Sequence, residues 1–386
     1  MGQEAAFGIL SKAKELEKKG KTVIHMEIGE PDFPTPKHIV DAAITALNNG
    51  DTHYTPTPGL PELRTAIADS VSKTYGANID FNNVLVTVGG KEAVFGSIVT
   101  VTENNTEIIF PDPGYPAYES ATNFAGGKAI SCNLKDEFDF RMTPENVNEL
   151  INDKTIGIVI NSPGNPCGSI LTEDDVKGIT EIAVDHNLYV ISDELYSSII
   201  FDNEKHFSPL NFVDNLDNVI LIDGFSKKYA MTGWRLGYAV VPTAVSPPMS
   251  KLLNNLTSCP ASFVQRGGIA AITGPETEIN KMIEIFRERR DVVYAESQKI
   301  NGIKAIKPKG AFYLFFDVTQ LLNKLNMNSE QLVIYLLENY GIAMLHGTAM
   351  GSAGEGYLRI SFANSVENLK IGMNLLATAA NDILKL

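Results

Sequence analysis

Five short apolar runs recur through the middle of the chain, at residues 84–88, 107–110, 156–160, 188–191 and 219–222, and each gives way to a polar or glycine-rich break. Near-continuous apolar runs of this length suit strands buried on both faces, and the helical spacers between them predict a mostly parallel sheet. A sixth strand is expected over 236–240. Beyond about residue 275 the pattern changes. A polar-amphipathic helix over 276–299 leads to an alternating, aromatic strand within 306–317. A helix over 329–340, a strand over 357–362 and a closing helix after residue 366 come next, which makes an α+β unit of its own. The opening segment, residues 5–20, reads as a helix with Phe7, Leu10, Ala13 and Leu16 apolar, expected to pack on that unit. The predicted fold class is therefore α/β: a mostly parallel central sheet flanked by helices over 40–280, with a smaller α+β domain from 1–39 plus 281–386.

The residues just past each strand carry more information than the strand itself. The first leads to Gly89-Gly90-Lys91, the second to Pro113-Gly114-Tyr115 and the third to Asn165-Pro166-Cys167-Gly168. The fourth ends in Asp193-Glu194-Leu195-Tyr196 and the fifth in Ser226-Lys227. In open α/β sheets ligands bind outside the carboxyl ends of the strands. A lysine there, partly withdrawn from water, has a lowered pKa and can form a Schiff base with a carbonyl cofactor. Arg235, eight residues later, can return to the same place and hold a phosphate through its planar fork of donors. Taken singly, each residue has a plainer structural reading. Asp193 suits a helix cap, Asn165 an Asn-Pro turn, the glycine pair a turn and Tyr115 a packing role.

Composition narrows the function classes. The chain has 386 residues, and 32 basic against 46 acidic side chains give a formal charge of −14. That balance argues against non-specific binding to nucleic acid or an anionic membrane. Cys132, Cys167 and Cys259 are odd in number and far apart, with neither a disulfide framework nor metal-ligand spacing. No apolar run approaches 18 residues and no secretory core is recognisable, so a cytoplasmic protein is expected.

The stretch from Gly224 to Tyr238, GFSKKYAMTGWRLGY, resembles the pyridoxal-phosphate attachment site of class I/II aminotransferases of fold type I, the aspartate aminotransferase-like enzymes. The resemblance runs from about Gly29 to Ala363, with the motifs in the family's order. It implies that Lys227 holds the cofactor and moves the substrate proton, and that Asp193 pairs with the cofactor's ring nitrogen. Tyr196 and Asn165 would meet the phenolate oxygen, and Tyr115 would stack on the ring. Gly89, Gly90, Lys91, Ser226 and Arg235 would surround the phosphate. Arg359 would grip the substrate carboxylate, with Gly29 and Asn165 beside it. Tyr54 would reach the phosphate of a neighbouring subunit, which implies a homodimer with shared sites. The implied activity transfers an amino group from an L-amino acid, aspartate or a broader set, to a 2-oxo acid such as 2-oxoglutarate. A carbon–sulfur β-lyase using the same lysine is the alternative enzyme. A cofactor-binding sensor domain fits less well, because the chain is acidic and shows no DNA-binding extension. The chain departs from the family pattern at Gly224, where many relatives carry a hydroxyl, and at Cys167 and His346.

Overall fold

In the computed structural model, which describes residues 5–386, the apolar runs become strands of one seven-stranded sheet. The first four residues assigned to the smaller domain lie outside the described part. In chain order the strands are β1 (Val84–Thr87), β2 (Glu107–Asp112), β3 (Lys128–Asn133), β4 (Thr155–Asn161), β5 (Tyr189–Asp193), β6 (Val219–Gly224) and β7 (Gly237–Val240). They lie side by side as β1-β7-β6-β5-β4-β2-β3, and only β7 runs against its neighbours. The start of β7 therefore sits at the carboxyl edge of the others, with Gly237 paired to both Thr87 and Gly224. That reversal returns Arg235 to the edge where Lys227 leaves β6.

Strand β3 is not expected from the sequence. It is one of the sheet's two edge strands, largely exposed, and only Cys132 on it is fully buried. A strand with one neighbour and polar residues such as Lys128, Ser131 and Asn133 carries no continuous apolar run to recognise.

The second unit holds a four-stranded antiparallel sheet of β8 (Lys304–Ala305), β9 (Tyr313–Asp317), β10 (Leu345–His346) and β11 (Tyr357–Ser361), ordered β10-β11-β9-β8. The helices Thr277–Ser297, Ser329–Tyr340 and Val366–Lys385 lie near the expected limits. The second is sharply bounded because Asn328 and Gln331 form a reciprocal capping box and Gly341 ends it at φ 70°. The N-terminal helix Ala5–Lys18 does join this unit, with Ala13 and Leu16 packed on it as expected but with Ile9 buried in place of Phe7. Ile9 and Ala13 are buried with Leu16 packed beside them, an i, i+4, i+7 stripe, while Phe7 is 60% exposed. Next, Ile24–His25 pairs in parallel with Ile342–Ala343, which ties the N-terminal segment to the same core. That core also takes in Tyr196, Ile199 and Phe201 from beyond β5, so it backs directly onto the carboxyl edge of the large sheet.

Candidate active site

The strand ends, the loop after Ile28 and strand β11 enclose a cleft of about 550 Å³. Lys227 enters it from the turn after β6, and its ammonium donates to the Gly29 carbonyl at 2.6 Å. Burial pushes the Lys227 pKa down to about 8, helped by the Arg359 and Arg235 charges and opposed by Glu30 and Asp193. About a tenth of the amine is therefore neutral, and nucleophilic, at pH 7, far more than for an ordinary lysine.

Asp193 closes β5 and is buried. The Tyr118 hydroxyl donates to it at 2.7 Å and the Leu195 N–H at 3.3 Å. Two donors do not offset the lost hydration, so burial lifts its pKa to about 6. Asn161 braces this end of the sheet: its amide donates to the Asp193 carbonyl at 3.0 Å and its oxygen accepts from the Asn165 N–H at 2.9 Å.

Arg359 stands in the middle of β11, buried, with its guanidinium in the cleft. It donates to the Asn165 side-chain oxygen at 3.0 Å and to the Glu27 carbonyl at 2.6 Å, and it lies 4.5 Å over the Tyr313 ring. Its Nε is buried without a partner. Tyr196 and Tyr313 share a hydroxyl–hydroxyl bond of 2.7 Å.

At the other end, Gly89 caps the helix Gly90–Val101 at φ 82°. A Cβ at Gly89 would stand 2.5 Å from Arg235 Nη2, so the turn needs glycine for both its backbone angle and the approach of the arginine. Arg235 donates to the Thr232 carbonyl at 2.8 Å, and the buried Ser226 also lines the cleft. Lys91 and Tyr115 form one wall, with the ammonium 6.0 Å from the ring centre.

The cleft thus unites the predicted residues except Gly89, which backs it through Arg235, and Tyr54, which is 90% exposed and lies in a separate surface hollow with Asp51 and Arg266. It also contains residues that sequence reasoning passes over: Tyr118, Tyr313, Glu30 and Phe7. Tyr118 comes one helical step after Tyr115, and Tyr313 lies on the strand that pairs with β11, so both signals are present only as spacing. Burial pushes the Cys167 thiol well above its ordinary range, which makes it a packing residue and not a nucleophile. His346 bonds Thr348 at 2.6 Å and does not line the cleft. No group of metal-ligating side chains occurs among the described residues.

This arrangement fits pyridoxal phosphate. A lysine of low basicity sits in the middle, a buried carboxylate short of partners on one side, and a glycine turn with an arginine at a helix N-terminus on another. Residues 21–375 match the family model of aminotransferase class I and II. The chain is 40% identical to the aspartate aminotransferase of Pyrococcus horikoshii, covering 96% of this chain and 94% of that protein. It is 37% identical to a (5-formylfuran-3-yl)methyl phosphate transaminase of Methanocaldococcus jannaschii, over 97% and 95% of the two chains. Among solved structures, the aspartate aminotransferase from Thermus thermophilus with maleate superposes with a TM-score of 0.93 at 32% identity, covering 98% of this chain and 97% of that one. None of these matches favours the β-lyase reading. The chain belongs to the class I and II aminotransferases, a family of pyridoxal-phosphate enzymes.

Proposed function

We propose that this cleft transfers amino groups between L-aspartate and 2-oxoglutarate, with each predicted residue in the role its position suits. The convergence of Lys227, Asp193 and Arg359 on one cleft carries the reading. When bound, pyridoxal phosphate supplies a carbonyl for the lysine and an electron sink for the substrate's Cα. Lys227 would hold it, and its Nζ, once freed by the substrate amine, would take the Cα proton and deliver it to the cofactor's carbonyl carbon. Asp193 keeps the ring nitrogen protonated. Arg359 takes the α-carboxylate through its fork, with the Asn165 oxygen fixing the plane of the guanidinium. Ser226, Arg235 and the N–H groups of Gly89, Gly90 and Lys91 hold the phosphate. Aspartate is favoured as the amino donor because the aspartate aminotransferase of Pyrococcus horikoshii is 40% identical over nearly the whole of both chains.

Borohydride reduction of the cofactor-loaded protein tests the core of this reading, and should leave the cofactor on a peptide at Lys227. The rate at which cofactor-free protein takes up pyridoxal phosphate should rise with pH, with a midpoint near the lysine's value of about 8, because the neutral amine attacks. Trapping on Lys228 would sink the assignment.

We also infer a homodimer in which Tyr54 completes the partner's phosphate site. An aromatic side chain left 90% exposed on the single chain supports this. Mixing inactive Lys227→Ala and Tyr54→Ala proteins should restore part of the activity, since a hybrid dimer has one intact site. Subunit exchange without recovered activity would exclude sharing. The charge of −14 and three cysteines outside any disulfide favour a cytoplasmic setting. Among the described residues no helix is long and apolar enough to cross a membrane.

A further inference from the structure

Tyr313 touches three parts of the cleft that otherwise come from distant segments. Its hydroxyl bonds the Tyr196 hydroxyl at 2.7 Å, and its ring lies under the Arg359 guanidinium at 4.5 Å. Its tip also fills the space a Cβ would need at Gly29, so the loop carrying the Lys227 partner can approach only as glycine. The strand geometry explains the meeting. Phe315 lies directly opposite Arg359 across β9 and β11, and Tyr313, two residues earlier, shares that face as the diagonal neighbour. Both tyrosines are buried apart from the side that lines the cleft, so each hydroxyl has few partners besides the other and what the cleft holds.

A hydroxyl carries one proton. If Tyr196 spends its proton on the cofactor's phenolate oxygen, the bond between the tyrosines can exist only with Tyr313 as donor and Tyr196 as acceptor. We propose that Tyr313 is a positioning residue that donates to Tyr196, so aiming the Tyr196 proton at the cofactor, while its ring carries the carboxylate clamp Arg359. One side chain then couples the electronic state of the cofactor to the placement of the substrate's carboxylate. Donation into Tyr196 polarises its O–H and strengthens the bond that Tyr196 makes onward. A stronger donor at the phenolate oxygen withdraws charge from the lysine-linked nitrogen and makes it less basic.

The proposal rests on the reading of Tyr196 as a cofactor neighbour, and the experiment separates the two. The readout is the pH midpoint of the visible absorbance of the cofactor-loaded enzyme, tracked without substrate. Tyr196→Phe should raise the midpoint by roughly one pH unit and Tyr313→Phe by roughly half a unit. Adding Tyr313→Phe to Tyr196→Phe should cause no further shift, because the hydroxyl through which Tyr313 acts is gone. Tyr313→Phe keeps the ring and should leave KM for the amino acid unchanged. Tyr313→Leu removes the ring and should raise KM by about three- to tenfold. No shift in Tyr196→Phe would overturn the site reading itself. A shift there with none in Tyr313→Phe, or additive shifts in the double variant, would overturn the role of Tyr313 alone. Loss of cofactor or fold in Tyr313→Phe would do the same, since only a hydroxyl has been removed.

Discussion

Asp193 and Glu194 are consecutive, both buried carboxylates, and they live in opposite electrostatic worlds. Successive residues of an extended chain leave it on opposite sides, so one faces the cleft and the other the interior behind it. Glu194 accepts from Ser192 at 2.8 Å, Ser208 at 2.6 Å, Tyr75 at 2.6 Å and His206 at 2.9 Å. None of these partners lines the cleft. Burial alone would push Glu194 up, but the His206 ring and then the hydroxyls outweigh it and hold the pKa below the ordinary value. Asp193 has a single side-chain donor, Tyr118, and burial wins, raising it to about 6. The difference separates a completed ion network from an incomplete one. A buried carboxylate that the protein leaves short of partners is one that a ligand can complete.

The largest effect expected from breaking this contrast belongs to Asp193→Asn. The amide keeps the shape but cannot hold a proton on the ring nitrogen, so turnover should fall by roughly a hundred- to a thousandfold while the cofactor stays bound. Near-normal turnover would make Asp193 a cap and nothing more. The same variant carries a stability signature of opposite direction. The folded value of about 6 lies above the 3.8 of an exposed aspartate, so this carboxyl's contribution is fully present below 3.8 and lost as pH rises through about 6. Asparagine does not titrate. Between pH 4 and 7 the stability of cofactor-free Asp193→Asn should therefore improve relative to the parent by about 2–3 kcal/mol, measured by denaturant unfolding.

Glu194→Gln should do the reverse. Its folded pKa is depressed, so its contribution is present above the ordinary 4.5 and lost as pH falls through the lower folded value. Glutamine also turns an NH₂ group towards donors, and the cost should be about 3 kcal/mol of unfolding free energy at pH 7. Turnover per folded, cofactor-loaded molecule should change by less than about threefold, since the network does not touch the cleft. A large fall in turnover with stability intact would show that Glu194 belongs to the reaction and that the two carboxylates are less separate than their partners indicate.

The contrast is half legible in the sequence. Val- and Ile-rich runs announce β5 and its neighbours, and strand direction then delivers Gly89, Asn165, Asp193 and Lys227 to one edge in chain order. Those residues emerge directly from local pattern. Glu194's network is not readable there, because Tyr75 and His206 reach it from 119 and 12 residues away and nothing in their spacing marks the meeting. Tyr313 is hidden for the same reason: its role depends on the register between β9 and β11. The N-terminal helix is recognisable as a helix with Ala13 and Leu16 inside, but the start of its buried side is not. Phe7 and Ile9 are both apolar, and only the packed core decides which of them is buried. Edge strand β3 escapes on composition, since its exposed polar residues resemble a loop.

Tyr118→Phe gives the finest test, because it makes Asp193 still poorer in partners without removing its charge. The phenyl ring keeps the edge-on contact with Tyr115, 5.7 Å between centres, so packing should survive. What is lost is the 2.7 Å bond, the largest of the influences that hold Asp193 down against burial, so its pKa should rise further. On the role proposed for Asp193, the ring nitrogen of the bound cofactor would stabilise the carboxylate and take over most of what Tyr118 supplies in the cofactor-free protein. The loss in turnover should therefore be only about three- to tenfold, the worth of one hydrogen bond to a charged group partly compensated. The acid limb of the pH–rate profile should move to higher pH, because Asp193 now protonates sooner as pH falls. Glu194→Gln should move that limb slightly the other way, to lower pH, because it removes a negative charge that helps to raise Asp193. A loss in Tyr118→Phe as large as that of Asp193→Asn would mean that Tyr118 meets the reacting group directly. An unmoved acid limb would mean that the bond to Tyr118 serves packing alone.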